Sequence, residues 1–348
     1  MGAAKIRVGL VGYGHAGAVF HAPLIRAAAR LELAAVATGR EERVARDLPG
    51  VRRAAGPAEL FTDPSIDLVV IATPNETHRA LALAALDAGK HVVVDKPLAN
   101  SAREAEELIL RARARGRTLS AFQNRRWDGD FLTVKRLIDE GALGSVEHYE
   151  SRFDRFRPEI KPGWREKAGA GAGLLYDLGS HLIDQALVLF GMPEAVDAEI
   201  VARRPDAEVD DYFLVTLSYG ARRAILGASM LAREAGPRFL VRGAAGSFVK
   251  RGLDPQEEAL KAGRVPEGAN WGQDAPELYG TLTTSVGARP LVTSPGAYPE
   301  YYARLAASLL DGEALAVPAD DARRALVVLE AARLSATEKR IVPLRPEK

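Results

Sequence analysis

The sequence predicts an α/β architecture in two parts, a doubly wound parallel sheet followed by a domain built on an antiparallel sheet. Two observations carry this. Over the first third, short β-branched apolar runs alternate with alanine- and leucine-rich helical segments, the pattern of a parallel sheet with helices on both faces. Beyond about Gln123 the alternation stops, and strands with apolar residues at every second position take over, as in sheets with one buried face. At 348 residues the chain exceeds one comfortable core, so two domains, 1–123 and 124–348, are expected.

Taken in order, "KIRVGLV" reads as the first strand, "AVFHAPLIRAAAR" as a helix and "LELAAVAT" as the second strand. "IDLVVIAT", the helix "ETHRALALAALDAG", "HVVVDKP", the helix "SAREAEELILRARARG" and "TLSAF" complete the first domain. In the second, helices at "DFLTVKRLIDEG" and "YDLGSHLIDQALVLFG" precede the strands. Phe213, Val215, Leu217 and Tyr219 share one face of "VDDYFLVTLSYG", and "RRAILGASML" and "RFLVRGAAGSFVKRG" continue the sheet with a turn at Gly243 to Gly246. The stretch from Asp254 to Thr293, rich in Gly, Pro and charges, reads as a long excursion. A last helix, "ADDARRALVVLEAARLSATEK", carries acidic residues in its first turn and basic ones in its last, as the helix dipole favours. The antiparallel sheet needs both faces covered, which a helix on one side and a partner subunit on the other would do.

Composition narrows the function classes. A formal charge of +1 without long like-charge runs gives no electrostatic reason to expect nucleic acid or a membrane surface as partner. The chain has no cysteine, so disulfides, thiolate metal sites and a cysteine nucleophile are excluded. "MGAAKIRV" leads straight into the first strand without an apolar signal core, and a soluble, cytoplasmic protein acting on a small ligand is the expectation.

"VGLVGYGHAGAVFHAPLI" sets Gly12, Gly14 and Gly17 at G-x-G-x-x-G spacing between the first strand and the first helix. There Gly12 would permit a tight turn, Gly14 the approach of a pyrophosphate and Gly17 close packing of the helix. Tyr13, His15 and Ala16 count with them as cofactor contacts. The second strand ends in "VATGREER", with Thr38 where an NAD-binding carboxylate would stand and Arg40 placed to meet a 2′-phosphate. A guanidinium holds phosphate in forked geometry where a carboxylate would repel it, so NADP is expected. The competing reading makes Arg40 a solvated helix-start residue and turns Glu41 or Glu42 back to the ribose. "IATPNETH" brings Thr73, Pro74 and Asn75 to the carboxyl edge of the sheet, where ligands of open α/β sheets bind. His78 follows as a cofactor contact or a residue packed at the helix cap.

Lys96 emerges from the apolar strand of "HVVVDKPL" at the same edge, between Asp95 and Pro97. An ammonium beside a nicotinamide could hydrogen-bond the reacting oxygen and stabilise a developing alkoxide; the alternative is a surface lysine at a strand end. In "GAGAGLLYDLGSHLIDQ", Asp177, His181 and Asp184 fall at i, i+4 and i+7 on one helical face. His181 could take the proton of a substrate hydroxyl, with a carboxylate orienting its ring. A solvated acidic face or a divalent-metal site would use the same residues, but hydride transfer needs no metal and none is assigned. Asn124 and Arg125, with Arg126 and Trp127, suit a polyhydroxylated substrate or a phosphate, or else an Arg–Trp packing contact. Arg155, Trp164 and Arg165 in "FDRFRPEIKPGWREK" are further ligand contacts, Arg155 on the substrate side and the other two on the cofactor side.

The glycine motif, the "TPN" loop with its histidine, the Lys-Pro pair and the D-x-G-x-H-x-x-D helix occur here in the order found in the glucose-fructose oxidoreductase and inositol dehydrogenase family, which the chain resembles over essentially its whole length. The resemblance implies a Rossmann domain followed by an α/β domain with an open antiparallel sheet, used for dimer or tetramer formation. It also implies Lys96, Asp177 and His181 as the catalytic set and a cis Lys96–Pro97 peptide. "FHAPLI", "NRRWDGDFLTVKRLI", "FDRFRP", "GLDPQEEALKAG" and "YPEYY" are most similar to the family's branch of NADP-dependent scyllo-inositol 2-dehydrogenases. Asp95 stands where the family has Glu, and Gln123 where that branch has His. The activity implied is reversible NADP-dependent oxidation of a cyclic polyol or sugar. A non-catalytic NADP-binding sensor, or an oxidoreductase of another sugar, is the alternative.

Overall fold

The computed structural model describes residues 5–345; the initial "MGAA" lies outside them. The chain divides into two compact units. The first comprises Met1–Asn124, Gln256–Trp271 and Ala297–Arg323, and the second Arg125–Pro255, Gly272–Gly296 and Arg324–Lys348.

The first unit is built on six parallel strands: β1 (Ile6–Val11), β2 (Leu31–Ala37), β3 (Arg52–Ala54), β4 (Leu68–Ile71), β5 (His91–Asp95) and β6 (Leu119–Phe122). Their order is β3-β2-β1-β4-β5-β6, the doubly wound arrangement. Every residue of β4, and all of β5 after His91, is buried, as covering by helices on both faces requires. Five helices connect the strands: α1 (Ala22–Ala27, entered through a π turn over Gly17–His21), α2 (Glu41–Asp47), α3 (Pro57–Thr62), α4 (Asn75–Asp87) and α5 (Ala102–Ala114). Ser101 caps α5, accepting from Glu104 N–H at 3.2 Å. The order reverses between β1 and β4, so the loops after these strands flank the crevice where open α/β sheets bind their ligands.

The second unit carries a nine-stranded sheet: β7 (Val146–Asp154), β8 (Ala195–Val201), β9 (Tyr212–Tyr219), β10 (Arg222–Ser229), β11 (Phe239–Gly243), β12 (Gly246–Lys250), β13 (Gly280–Thr284), β14 (Gly287–Leu291) and β15 (Val342–Pro343). It is mixed and mostly antiparallel; β7 and β10 pair in parallel at its centre. Phe213, Val215 and Leu217 are buried on one face of β9 and the residues between them are half-buried, the alternation expected from the sequence. Helices α6 (Gly129–Asp139) and α7 (Ser180–Phe190) belong to this unit, and a π turn over Leu175–Gly179 leads into α7. A Cβ on Gly179 would lie 2.8 Å from Leu175 and 3.4 Å from the Phe213 ring. Glycine there lets the turn lie flat on β9.

Three features depart from the sequence reading. The excursion between Asp254 and Thr293 contains helix α8 (Gln256–Lys261) and the β13–β14 hairpin. That hairpin offers few buried apolar side chains, and β14, at the sheet edge, buries none. Residues 256–271 and 297–323 belong to the first unit, the latter through helix α9 (Pro299–Asp311) and the start of α10 (Ala319–Glu338). Buried Tyr301 and Tyr302 of α9 pack edge-on and tilted against Phe122, at 4.8 and 5.8 Å. Lastly, the π turn breaks the 3.6-residue period, so Asp177, half-buried, does not share the burial of His181 and Asp184 as a single helical stripe. Among the described residues, no helix is long and apolar enough to cross a membrane.

Candidate functional site

In the first unit the candidate residues lie on the loops at the carboxyl ends of β1, β2, β4 and β5. After β1 the backbone turns at Gly12 with φ of +96°, a conformation that favours glycine. A Cβ there would also stand 2.4 Å from the carbonyl oxygen of Ala72, so the β1 and β4 loops abut. A Cβ on Gly17 would meet the Gly12 carbonyl at 2.2 Å. Both glycines are therefore demanded by the fold. Gly14 is different: a Cβ there meets no protein atom within 4 Å, so packing does not explain it. Helical structure begins at His15, after Gly14, whose carbonyl accepts from Ala18 N–H at 3.2 Å. The amides of the His15–Ala16–Gly17 turn thus form a helix start of the kind that receives a pyrophosphate. Tyr13 is buried under the guanidinium of Arg43, 5.5 Å from its ring centre.

After β2, Thr38 Oγ1 accepts from the backbone N–H of Arg40 at 3.2 Å, fixing the start of α2. Arg40 is exposed, with no ion-pair partner among the described residues. Glu41 lies 3.5 Å from Arg53, which turns it toward β3. Nothing in the local sequence singles out Arg43. Only its stacking on Tyr13 marks it, a contact across 30 residues that no local pattern displays.

The β4 loop is held by its own hydroxyls: Thr73 Oγ1 and Thr77 Oγ1 lie 2.6 Å apart, and Thr77 Oγ1 donates to Pro74 O at 2.7 Å. Asn75 is buried at the start of α4, and its carbonyl accepts from Asn100 Nδ2 at 3.2 Å. His78 is fully buried, with Nδ1 2.8 Å from Pro97 O and Nε2 3.0 Å from Thr73 O. At the end of β5, Asp95 is buried and accepts from the backbone N–H of Lys96 at 2.9 Å. Its Oδ1 faces His21 Nε2 at 3.7 Å, and His21 Nδ1 is hydrogen-bonded to the Tyr302 hydroxyl at 2.7 Å. Burial pushes the Asp95 carboxyl up, but His21 and the charges of His21, Lys96 and His78 outweigh it and hold the group below its ordinary value. Lys96, half-buried, follows, and its peptide bond to Pro97 is cis. Gln123 and Asn124 are buried at the end of this unit's first segment.

The second unit holds Asp177 and His181. Asp177 N–H donates to Gly173 O at 3.1 Å, and its Oδ1 lies 3.5 Å from Arg165 Nε. Arg165 stacks on Trp164 at 4.5 Å. The turn is anchored by Asp210, whose Oδ2 accepts from Leu175 N–H at 2.7 Å, and burial raises the Asp210 pKa. Their loop is tied down by Arg204, which donates to Glu166 Oε2 at 2.6 Å and to Asp211 Oδ2 at 2.9 Å. His181 is buried at the second position of α7. Asp184, grouped with them in the sequence, is buried and accepts from half-buried Arg126 Nε and Nη2 at 2.8 and 2.7 Å in a bidentate pair. Arg125 stands 4.9 Å above the Phe153 ring and 3.4 Å from Asp128. Arg155 is half-buried, and its backbone bonds to Ser229 and Ala232.

Comparison with known proteins identifies the family of both parts of the chain. Residues 6–123 match the family model described as the NAD-binding Rossmann fold of an oxidoreductase family, and residues 135–344 match its C-terminal alpha/beta domain. A protein of Bacillus subtilis (strain 168) named scyllo-inositol 2-dehydrogenase (NADP(+)) IolW is 45% identical over 97% of this chain and 96% of its own length. The uncharacterized oxidoreductase YdgJ of Escherichia coli (strain K12) is 49% identical over 94% of this chain and 95% of its own. Among solved structures, the oxidoreductase yvaA from Bacillus subtilis superposes with a TM-score of 0.96 at 43% identity, covering 99% of this chain and all of that one.

Proposed function

Because the chain belongs to the glucose-fructose oxidoreductase and inositol dehydrogenase (Gfo/Idh/MocA) oxidoreductase family, whose N-terminal domain takes a nicotinamide cofactor, we propose that it interconverts a cyclic polyol and its ketone with NADP(H). Scyllo-inositol and scyllo-inosose are the first pair to test. One observation carries the reading: near-full-length likeness, at 45% identity, to the Bacillus subtilis scyllo-inositol dehydrogenase. The β2 loop supports the choice of NADP, because Arg40 is exposed without an ion-pair partner among the described residues while Glu41 is turned to Arg53. A carboxylate fixed on the ribose hydroxyls would repel a 2′-phosphate, and none ends β2.

The nicotinamide, when bound, accepts or supplies the hydride. Gly12, Tyr13, Gly14, His15, Ala16 and Gly17 hold the pyrophosphate side, Thr38 and Arg40 the ribose end, and Thr73, Pro74, Asn75, Asp95, Lys96 and Pro97 the edge nearer the reacting carbon, with Trp164 and Arg165 as further contacts. In oxidation, Lys96 hydrogen-bonds the substrate oxygen and stabilises the alkoxide as charge develops, while His181 takes the hydroxyl proton. Asp177 orients the histidine and favours its protonated form. In reduction the same proton returns from His181 to the oxygen. Asn124, Arg125 and Arg155 bind the remaining hydroxyls.

The experiment is initial-rate oxidation of NADPH and, separately, NADH by the purified protein with scyllo-inosose, followed by other keto-polyols. Turnover with NADPH and little with NADH is expected. Lys96→Ala is expected to lose at least about 100-fold in turnover while NADPH affinity largely survives; full activity in that variant ends the assignment.

A further inference from the structure

The Asp95–Lys96–Pro97 segment leaves β5 between two buried histidines, His21 and His78. His21 is engaged with Asp95 and Tyr302. His78 is engaged with backbone alone: Nδ1 reaches the Pro97 carbonyl at 2.8 Å and Nε2 the Thr73 carbonyl at 3.0 Å, and the side chain is wholly buried. Those carbonyls belong to the β5 and β4 loops, which leave neighbouring strands at the carboxyl edge of the sheet. A carbonyl only accepts, so any N–H this ring carries is spent on one of the two loops. With its proton on Nδ1 the neutral ring donates to Pro97 O, and because His78 lies in the first turn of α4, directly after the Thr73 loop, that one bond already joins the two loops. A ring committed in this way has no nitrogen left for a ligand. Packing does not account for it either, since a phenyl ring of similar shape would fill the space without desolvating polar nitrogens.

We propose that His78 is a positioning residue: it staples the Lys96–Pro97 peptide to the Thr73 loop and thereby fixes where the Lys96 ammonium stands at the sheet edge. The proposal rests on the reading of Lys96 as the group that polarises the substrate oxygen. It requires that His78 influence turnover through Lys96 and leave cofactor affinity largely alone. Because rates fall steeply when a catalytic group is displaced by about an ångström, loosening this staple registers in kcat before it registers in binding.

The test uses the whole chain with His78→Phe, which keeps the ring and removes its donors, and His78→Gln, which restores an amide donor. Both are made in the wild-type and Lys96→Ala backgrounds. Three quantities are read: hydrogen exchange of peptides covering residues 73–77 and 95–100, NADPH affinity by fluorescence, and kcat with KM for the keto-polyol. His78→Phe is expected to speed exchange in both segments and to lower kcat about 10- to 100-fold. NADPH affinity and KM should stay within about threefold. His78→Gln should recover part of the loss, and in the Lys96→Ala background His78→Phe should cost nothing more. If His78→Phe fails to fold, His78→Gln carries the same measurements. Unchanged exchange in both segments overturns the staple, as does a kcat loss that multiplies with that of Lys96→Ala, or a loss confined to NADPH affinity. A Lys96→Ala variant with full turnover instead overturns the reading of Lys96, and exchange in the His78 variants still decides whether the staple exists.

Discussion

Arg40 stands two residues past Thr38, whose hydroxyl holds its backbone N–H at 3.2 Å, and its side chain is exposed. A guanidinium so placed is set to accept a 2′-phosphate in forked geometry and has little to offer a 2′-hydroxyl. Arg40→Ala is therefore expected to raise KM for NADPH about tenfold or more while changing KM for NADH less than about twofold. Equal losses for both cofactors in parallel initial-rate measurements would remove the phosphate role. At this scale the sequence draws attention to residues that contradict their local setting, a lysine ending an apolar strand or a threonine where a carboxylate is usual, and the structure sets Lys96 directly after β5 and Thr38 directly after β2. The sequence is least legible where a partner is distant. Asp184 looked like a member of the His181 stripe, and only the fold brings Arg126, 58 residues away, to both of its oxygens. Removing Arg126 would leave that carboxylate buried with its bidentate partner gone, at a cost of about 3–5 kcal/mol.

Among the elements, the glycine-rich turn separates folding from binding. Gly17 touches the Gly12 carbonyl so closely that a methyl group would sit 2.2 Å from it, backbone against backbone, whereas the same methyl at Gly14 meets nothing within 4 Å. Gly17→Ala is accordingly expected to lower stability by about 1–3 kcal/mol, as overpacking does. Gly14→Ala is expected to melt at or slightly above the wild-type temperature, since it restricts the unfolded chain, yet to lose NADPH affinity. Thermal melts beside cofactor titrations check both, and a Gly14→Ala protein that binds NADPH as well as wild type would detach this turn from the pyrophosphate. Elements with a strong period were readable in advance: β1, β2, β4, β5, β9 and helices α4 to α7 fall close to where apolar spacing places them. The three-residue β3, the β13–β14 hairpin and the π turn before α7 were not. The first two bury too few side chains to leave a pattern, and the third replaces the helical period that such a pattern relies on.

Helices α8, α9 and the start of α10 group with the first compact unit although they follow strands of the second in the chain. The sequence analysis assigns no element to Pro299–Asp311, and no local pattern shows that Tyr301 and Tyr302 of this helix will close over Phe122 and His21. Folding of the first unit withdraws His78 wholly and His91 in part from water, and this shapes its pH response. For His78 burial is the largest cause and lowers the pKa against the opposing pull of Asp95 and the Pro97 and Thr73 carbonyls; for His91 burial and then the Arg117 charge lower it. Both folded values lie below the ordinary 6.5. As pH falls through 6.5, the unfolded chain therefore binds protons that the folded chain still refuses, so unfolding is favoured and stability drops. Asp95, held below its ordinary 3.8, adds its own loss only in a more acid range. The urea midpoint is thus expected to fall between pH 7 and pH 5, each histidine contributing a slope of at most about 1.4 kcal/mol per pH unit. His78→Phe should flatten the slope by its own share. A midpoint constant across that window would mean that the two imidazoles are not withheld from protonation in the folded protein.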